Sequence, residues 1–117
     1  MNATTTQLES KIRDGKIVPG MSFQQKVWAI TATIPHGRVM TYGDVARRLK
    51  TNGYRAVGRA LHVNPYAPGV PCHRVVGSDG KLTGFAGGLP KKRRLLEAEG
   101  IHFAGSRVDL SRSRMAN

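Results

Sequence analysis

Several stretches of the chain carry apolar residues at helical intervals, separated by clusters of glycine and proline that a helix does not tolerate. In FQQKVWAITATI, Phe23, Val27, Ile30 and Ile34 recur every three or four positions and share one face. Ser22 and Gln25 stand at capping-box spacing ahead of it, and Pro35 stops it. Thr41, with Asp44 three residues on, predicts a second N-cap and a helix through YGDVARRLK. After a turn at Thr51-Asn52-Gly53, a third helix is predicted from about Tyr54 to Val63. It ends at Asn64-Pro65, because a residue before proline is pushed out of the α region. A last helix, LPKKRRLLEAE, has Pro90 in its first turn and Gly100 as its C-cap residue.

Between the helices the pattern shortens. Arg38-Val39-Met40 reads as a strand or an extended link. Val75-Val76, the GSDG turn and Lys81-Leu82-Thr83 predict a small hairpin, and IHFAGSRVDL predicts a second hairpin or an extended arm. NPYAPGVPCHRVV carries Pro65, Pro68 and Pro71 and is a stiffened loop. Residues 1–20 read as a flexible polar extension, in which Thr6 and Glu9 have the spacing to cap a short helix before Pro19-Gly20. The body is expected over 21–110 and a disordered basic tail over 111–117. The fold class is mostly α with small β hairpins.

On the helix from Tyr54, Val57, Ala60 and Leu61 can face a core, while Arg55, Arg59 and His62 share the opposite face. Two short helices, a tight turn and a basic outward face give a helix-turn-helix-like reading; an ordinary solvated helix pair has the same pattern. Charge adds to this picture. Nineteen Lys+Arg against 7 Asp+Glu leave a net charge of +12 on 117 residues. Such a surplus favours polyanions, since each cation placed on a phosphate releases a condensed counterion. A basic structural protein would share the composition. No apolar run is long enough to span a membrane and no secretory signal is visible, so a soluble cytoplasmic protein is expected, nucleoid-associated, or nuclear in a eukaryote.

A single cysteine, Cys72, excludes an internal disulfide and any multi-cysteine zinc site, and the 4 histidines show no metal spacing. An isolated cysteine is commonly an inert apolar residue. Cys72, however, lies between Pro71 and His73-Arg74, and His and Arg are the side chains that supply the base or cation a thiolate needs. Glu99 is a candidate carboxylate to orient His73, with Glu97 left open beside it.

RAVGRALHVNP, followed by PCHRVVGSDGKLTGFAGGLPKKRRLLEAEG, resembles the DNA-binding and active-site domain of the O6-alkylguanine-DNA alkyltransferases, the methylated-DNA-protein-cysteine methyltransferases. FQQKVWAITATIPHGRVMTYGDVA is similar to that family's entry into the domain, and the resemblance covers roughly residues 22 to 101. It implies a winged helix-turn-helix-like domain, acting as a monomer without cofactor or metal. Its partner would be double-stranded DNA bearing O6-alkylguanine, met in the minor groove by the recognition helix. Cys72 would accept the alkyl group in a single turnover, His73 would take the thiol proton through a water, and Glu99 would hold His73. Asn64 would tie the recognition helix to the cysteine loop. Arg55 would be the finger that fills the gap left by the flipped nucleotide, and Tyr42 would assist its extrusion. Backbone groups of Cys72, Val75 and Ala86 would read the base, with Phe85 and Lys92 near the pocket. Thr41, Ala56, Gly58, Arg59, His62 and Arg74 complete the expected DNA-contacting set.

Larger members of that family carry a further N-terminal domain, so the pocket is expected to depend on the small domain alone. The tail LLEAEGIHFAGSRVDLSRSR looks more like the alkyltransferase-like proteins, which bind and flip O6-alkylguanine without repairing it and hand it to nucleotide excision repair. Those relatives usually carry tryptophan in place of Cys72. Phe85 lacks the hydroxyl of the tyrosine often found at its position. A lesion sensor, a generic winged-helix DNA binder and a cysteine hydrolase are the rival readings. Cys72, His73, Asn64, Glu99 and the GFAGG loop, present as a set, favour alkyl transfer, since a lesion binder needs no thiolate.

Overall fold

The computed structural model describes residues 4–85 and 87–116. Its elements run α1 (Thr5–Arg13), α2 (Phe23–Ala32), β1 (Met40–Thr41), α3 (Tyr42–Arg48), α4 (Tyr54–His62), a 3-10 turn (Cys72–Arg74), β2 (Val75–Val76), α5 (Leu89–Ala98), β3 (Phe103–Ala104), β4 (Arg107–Val108) and α6 (Leu110–Ser113). Among these residues no helix is long and apolar enough to cross a membrane.

Local chemistry sets the helix starts. Ser22 Oγ accepts from Gln25 N at 3.2 Å while Gln25 returns a bond to Ser22 N at 2.8 Å, the reciprocal cap expected from the spacing. Thr41 and Asp44 do the same for α3 at 3.0 and 3.1 Å. Val27, Ile30 and Ile34 enter the main core with Met40, Val45, Val57, Ala60 and Val75, but Phe23 stays at the surface. α2 buries a second face through Trp28 and Ala29. From it Trp28 Nε1 donates to Ala60 O at 2.7 Å, fastening α2 to α4. α3, the turn and α4 form a helix-turn-helix, closed at the end of α3 by Lys50 with φ 55°.

The expected polar extension is corrected here. Thr4 and Gln7, not Thr6 and Glu9, form a capping box that starts α1, and Ile12 is wholly buried against Trp28, Ala29, Met21 and Val70. Ile12, with Leu8 packed against the same cluster, docks an otherwise polar helix.

The strand pairings also differ from the sequence reading. Val75 and Val76 pair in parallel with Met40 and Thr41 instead of folding back on residues 81–83. The GSDG turn still closes, Gly77 N donating to Lys81 O at 2.9 Å, but Lys81 bridges to Arg107. Gly80, at φ 87°, lets the hairpin come close: a Cβ there would sit 2.2 Å from Val108 O. β3 and β4 form the expected second hairpin, the wing.

The tail is ordered through residue 116. Val39 N donates to Ser113 O at 2.9 Å and Met115 N to Val39 O at 2.7 Å, so the last segment is stitched beside β1. Arg114 clamps Asp44 with bonds of 3.0 and 2.5 Å, and Arg47 also binds that carboxylate. Burial raises the Asp44 carboxyl, but the bonds from Arg114 and the Thr41 backbone, with the nearby cations, hold it below its ordinary range.

Candidate active site

Cys72 begins the 3-10 turn after Pro71, its N–H donating to Val70 O at 2.9 Å. Asn64, just past the end of α4, donates through Nδ2 to Val70 O at 2.8 Å and accepts from Tyr66 N at 2.9 Å. One amide therefore joins the end of α4 to the cysteine loop.

Behind the cysteine, His73 is buried and its Nε2 lies 2.8 Å from Glu99 Oε2. Glu99 is the C-cap of α5, and this end-of-helix position brings it to His73 and leaves Glu97 to an exposed pair with Arg93. Arg74 donates to both Glu99 oxygens at 2.8 and 2.9 Å and to Ile34 O at 2.7 Å. Burial raises the Glu99 carboxyl, yet the hydrogen bonds and charges of Arg74 and His73 outweigh it and hold it at about 2. An ionised Glu99 accepts at Nε2–H, which leaves Nδ1 of His73 as the basic nitrogen.

Arg74, expected among the DNA contacts, is placed here as a half-buried partner of Glu99: its side chain is 16% exposed and its guanidinium bonds Glu99 and Ile34 O. Thr41, also expected among those contacts, is buried with its hydroxyl capping α3. The sequence marked Arg74 as a cation beside Cys72 but not as a partner of Glu99, because only the fold brings residue 99 beside residue 74.

Lys92 is also buried. One residue of the KKRR cluster turns inward at full burial and donates from Nζ to Val75 O and Thr83 O, both at 2.8 Å. Burial pushes its ammonium down to about 8, partly offset by attraction to Cys72. Its neighbours go elsewhere. Lys91 borders the cavity in front of Cys72, and Arg93 lies 4.1 Å over the Phe103 ring and bonds Gly105 O on the wing. Val75 itself faces the core, and its carbonyl is the acceptor for Lys92. Thr83, read from the sequence only as part of a hairpin, connects two site residues: its carbonyl accepts from Lys92 and its hydroxyl donates to Tyr42 OH at 2.9 Å.

The cavity at Cys72 has a volume of about 410 Å³ and is lined by Tyr42, Asn64, Pro68, His73 and Phe85 among others. Tyr42, His62 and Gly84 also line a more open groove along α4 that includes Arg55, Gly58 and Arg59. Arg55, Arg59 and His62 are exposed there, Ala56 is half-buried, and a Cβ on Gly58 would meet nothing within 4 Å. Ala86 lies outside the described residues.

Comparison with known proteins fits this geometry. Residues 22–101 match the family model "6-O-methylguanine DNA methyltransferase, DNA binding domain". The chain is 52% identical over 81 residues to the methylated-DNA–protein-cysteine methyltransferase of Mycobacterium tuberculosis, covering 68% of this chain and 49% of the relative. It therefore spans about half the length of that relative. A crystal structure of Mycobacterium tuberculosis OGT in complex with DNA superimposes with a TM-score of 0.65 at 41% identity, covering 80% of this chain and 64% of that one. A structure of S. pombe ATL in complex with DNA superimposes with a TM-score of 0.67 at 31% identity, covering 81% of this chain and 95% of that one.

Proposed function

The chain belongs to the 6-O-methylguanine DNA methyltransferase family, and from that membership we propose that it repairs DNA by taking the alkyl group of O6-alkylguanine onto Cys72. The observation that carries the reading is the line from Cys72 at the cavity to His73, Glu99 and Arg74 behind it. A cysteine kept for packing has no need of a buried histidine whose basic nitrogen is set by an ionised carboxylate.

His73 Nδ1 takes the Cys72 proton through a water. The thiolate sulfur then forms a bond to the alkyl carbon while the C–O6 bond breaks, and its electron pair leaves with the guanine. The proton returns through His73 to the guanine, so the products are an S-alkylcysteine and an unmodified base. The Lys92 ammonium stabilises the negative charge before it is transferred. A thioether has no route back to a thiol, which makes each molecule act once.

The alkylated oxygen sits in the pairing face of a duplex, so the nucleotide must leave the stack to meet a sulfur in a cavity. The open groove beside α4 supports that step. Gly58 costs a helix about 1 kcal/mol relative to alanine, and nothing inside the protein fills the space it leaves. That space suits close approach to the minor groove. Arg55 enters the gap left by the nucleotide and Tyr42, at the junction of groove and cavity, guides the base inward. The backbone of the cysteine turn and of the GFAGG loop reads the base, with Phe85 against it.

A lesion-binding role without transfer is the second reading, supported by the likeness to the S. pombe protein across 95% of that chain; it would bring nucleotide excision repair proteins as partners. The two are separated by incubating the protein with duplex DNA containing O6-methylguanine and weighing its peptides. Transfer adds one methyl mass to the peptide bearing Cys72. Lesion-selective binding with no mass change establishes the second reading and ends the first.

A further inference from the structure

The loop that carries Cys72 has two sides. One lines the cavity through Asn64, Ala67 and Pro68; the other rests on α1, a helix that precedes the family-matched segment and that the proposed chemistry does not use. Val70 is where the two sides meet. Its carbonyl takes bonds from both Asn64 Nδ2 and Cys72 N, at 2.8 and 2.9 Å, and its side chain is wholly buried in a cluster with Ile12 of α1. Beside Ile12, the Arg13 guanidinium lies 5.0 Å over the Tyr66 ring, and that ring meets Trp28 edge-on at 5.6 Å. The Arg13 side chain runs close along the loop, for a Cβ on Gly69 would stand 3.2 Å from Arg13 Nη1.

A loop punctuated by prolines forms no ladder of its own and takes its shape from what it lies against. We propose that α1 is a positioning element for the nucleophile, with Ile12 and Arg13 setting the place of Cys72 through Val70 and Tyr66. The inference rests on Cys72 as the alkyl acceptor. Ile12 fixes the height of Val70 and hence of the carbonyl that holds the Cys72 N–H. Arg13 fixes Tyr66, whose own N–H is bonded to Asn64, so that the Asn64 tether and the cysteine move together with α1.

The test is single-turnover transfer from O6-methylguanine duplex by the full chain carrying Arg13→Ala, Tyr66→Leu or Tyr66→Phe, below the melting temperature of each. Arg13→Ala and Tyr66→Leu lower the rate at saturating DNA by on the order of tenfold, short of the hundredfold a 1 Å misplacement can cause, and shift half-saturation less than about twofold. Tyr66→Phe keeps the ring under Arg13 and restores the rate. A wild-type saturating rate in Arg13→Ala and Tyr66→Leu, or equal losses in Tyr66→Leu and Tyr66→Phe, overturns the proposal. If the unmodified protein transfers no methyl group, the transfer reading fails separately. The brace is then read from iodoacetamide labelling of half-buried Cys72: faster labelling in Arg13→Ala and Tyr66→Leu alone supports it, and equal rates in every variant overturn it.

Discussion

His73 Nε2 lies 2.8 Å from Glu99 Oε2, and Arg74, the next residue along, closes on both oxygens of the same carboxylate. The His73 ring is therefore oriented by a carboxylate that is itself held ionised. Because Arg74 also bonds Ile34 O, this anchor reaches from the end of α5 to the end of α2.

Glu99→Gln replaces an acceptor-only group with one that can present an N–H to His73 Nε2. Transfer is expected to slow by about 10²-fold or more, the range for loss of a positioned base, with lesion affinity preserved. The variant also leaves Arg74 half-paired, at a cost of about 3 kcal/mol in denaturant unfolding. The folded carboxyl sits at about 2 against an ordinary 4.5, so its stabilisation is complete above pH 4.5 and is lost as pH falls toward 2. Acid unfolding followed by circular dichroism reads the difference: Glu99→Gln loses that part of the slope.

Lys92→Met keeps the length of the side chain and removes its charge. A transfer rate lower by roughly tenfold to a hundredfold is expected, the low end for one electrostatic group acting on reacting charge. Since the ammonium titrates at about 8, the ratio of wild-type to variant rate is largest below pH 8 and shrinks above it. In stability the sign is opposite. The unfolded chain holds that proton up to 10.5, so wild-type stability gains between pH 8 and 10.5 and the variant lacks the gain.

Arg55→Ala should separate two kinds of binding. Its exposed side chain borders the groove beside α4, so loss of a wedge slows lesion processing far more than it weakens affinity for undamaged duplex. Equal loss on both DNAs would mark Arg55 as a phosphate contact. Arg59→Ala, by contrast, is expected to reduce the slope of log K against log salt by about one.

Arg114→Ala tests the ordered tail. Removing a charge-assisted pair with buried Asp44 is expected to cost about 1.5–3 kcal/mol, read as a lower urea midpoint, even though residue 114 lies three positions from the end of the chain. An unchanged midpoint would show that the tail contributes nothing to α3.

Much of this was legible in the residues themselves, for a physical reason. Capping at Ser22 and Thr41, the stop at Asn64-Pro65 and the alternation of Val57, Ala60 and Leu61 with Arg55, Arg59 and His62 are local, decided within four or so positions. The PCHRV setting of Cys72 carried the family resemblance, and with it Asn64, His73 and Glu99. What the tertiary structure decided are the places where distant residues compete for one group. Arg74 reads as a DNA-facing cation and Lys92 as a residue near the pocket, but it is the fold that sets Arg74 on Glu99 and Lys92 on the carbonyls of Val75 and Thr83, offsetting the loss of water. Val75-Val76 pairs in parallel with Met40-Thr41 of β1, and a buried isoleucine, Ile12, turns a polar lead-in into the floor of the cysteine loop. Local rules assign a residue its conformation, whereas burial and pairing across the chain assign its partner.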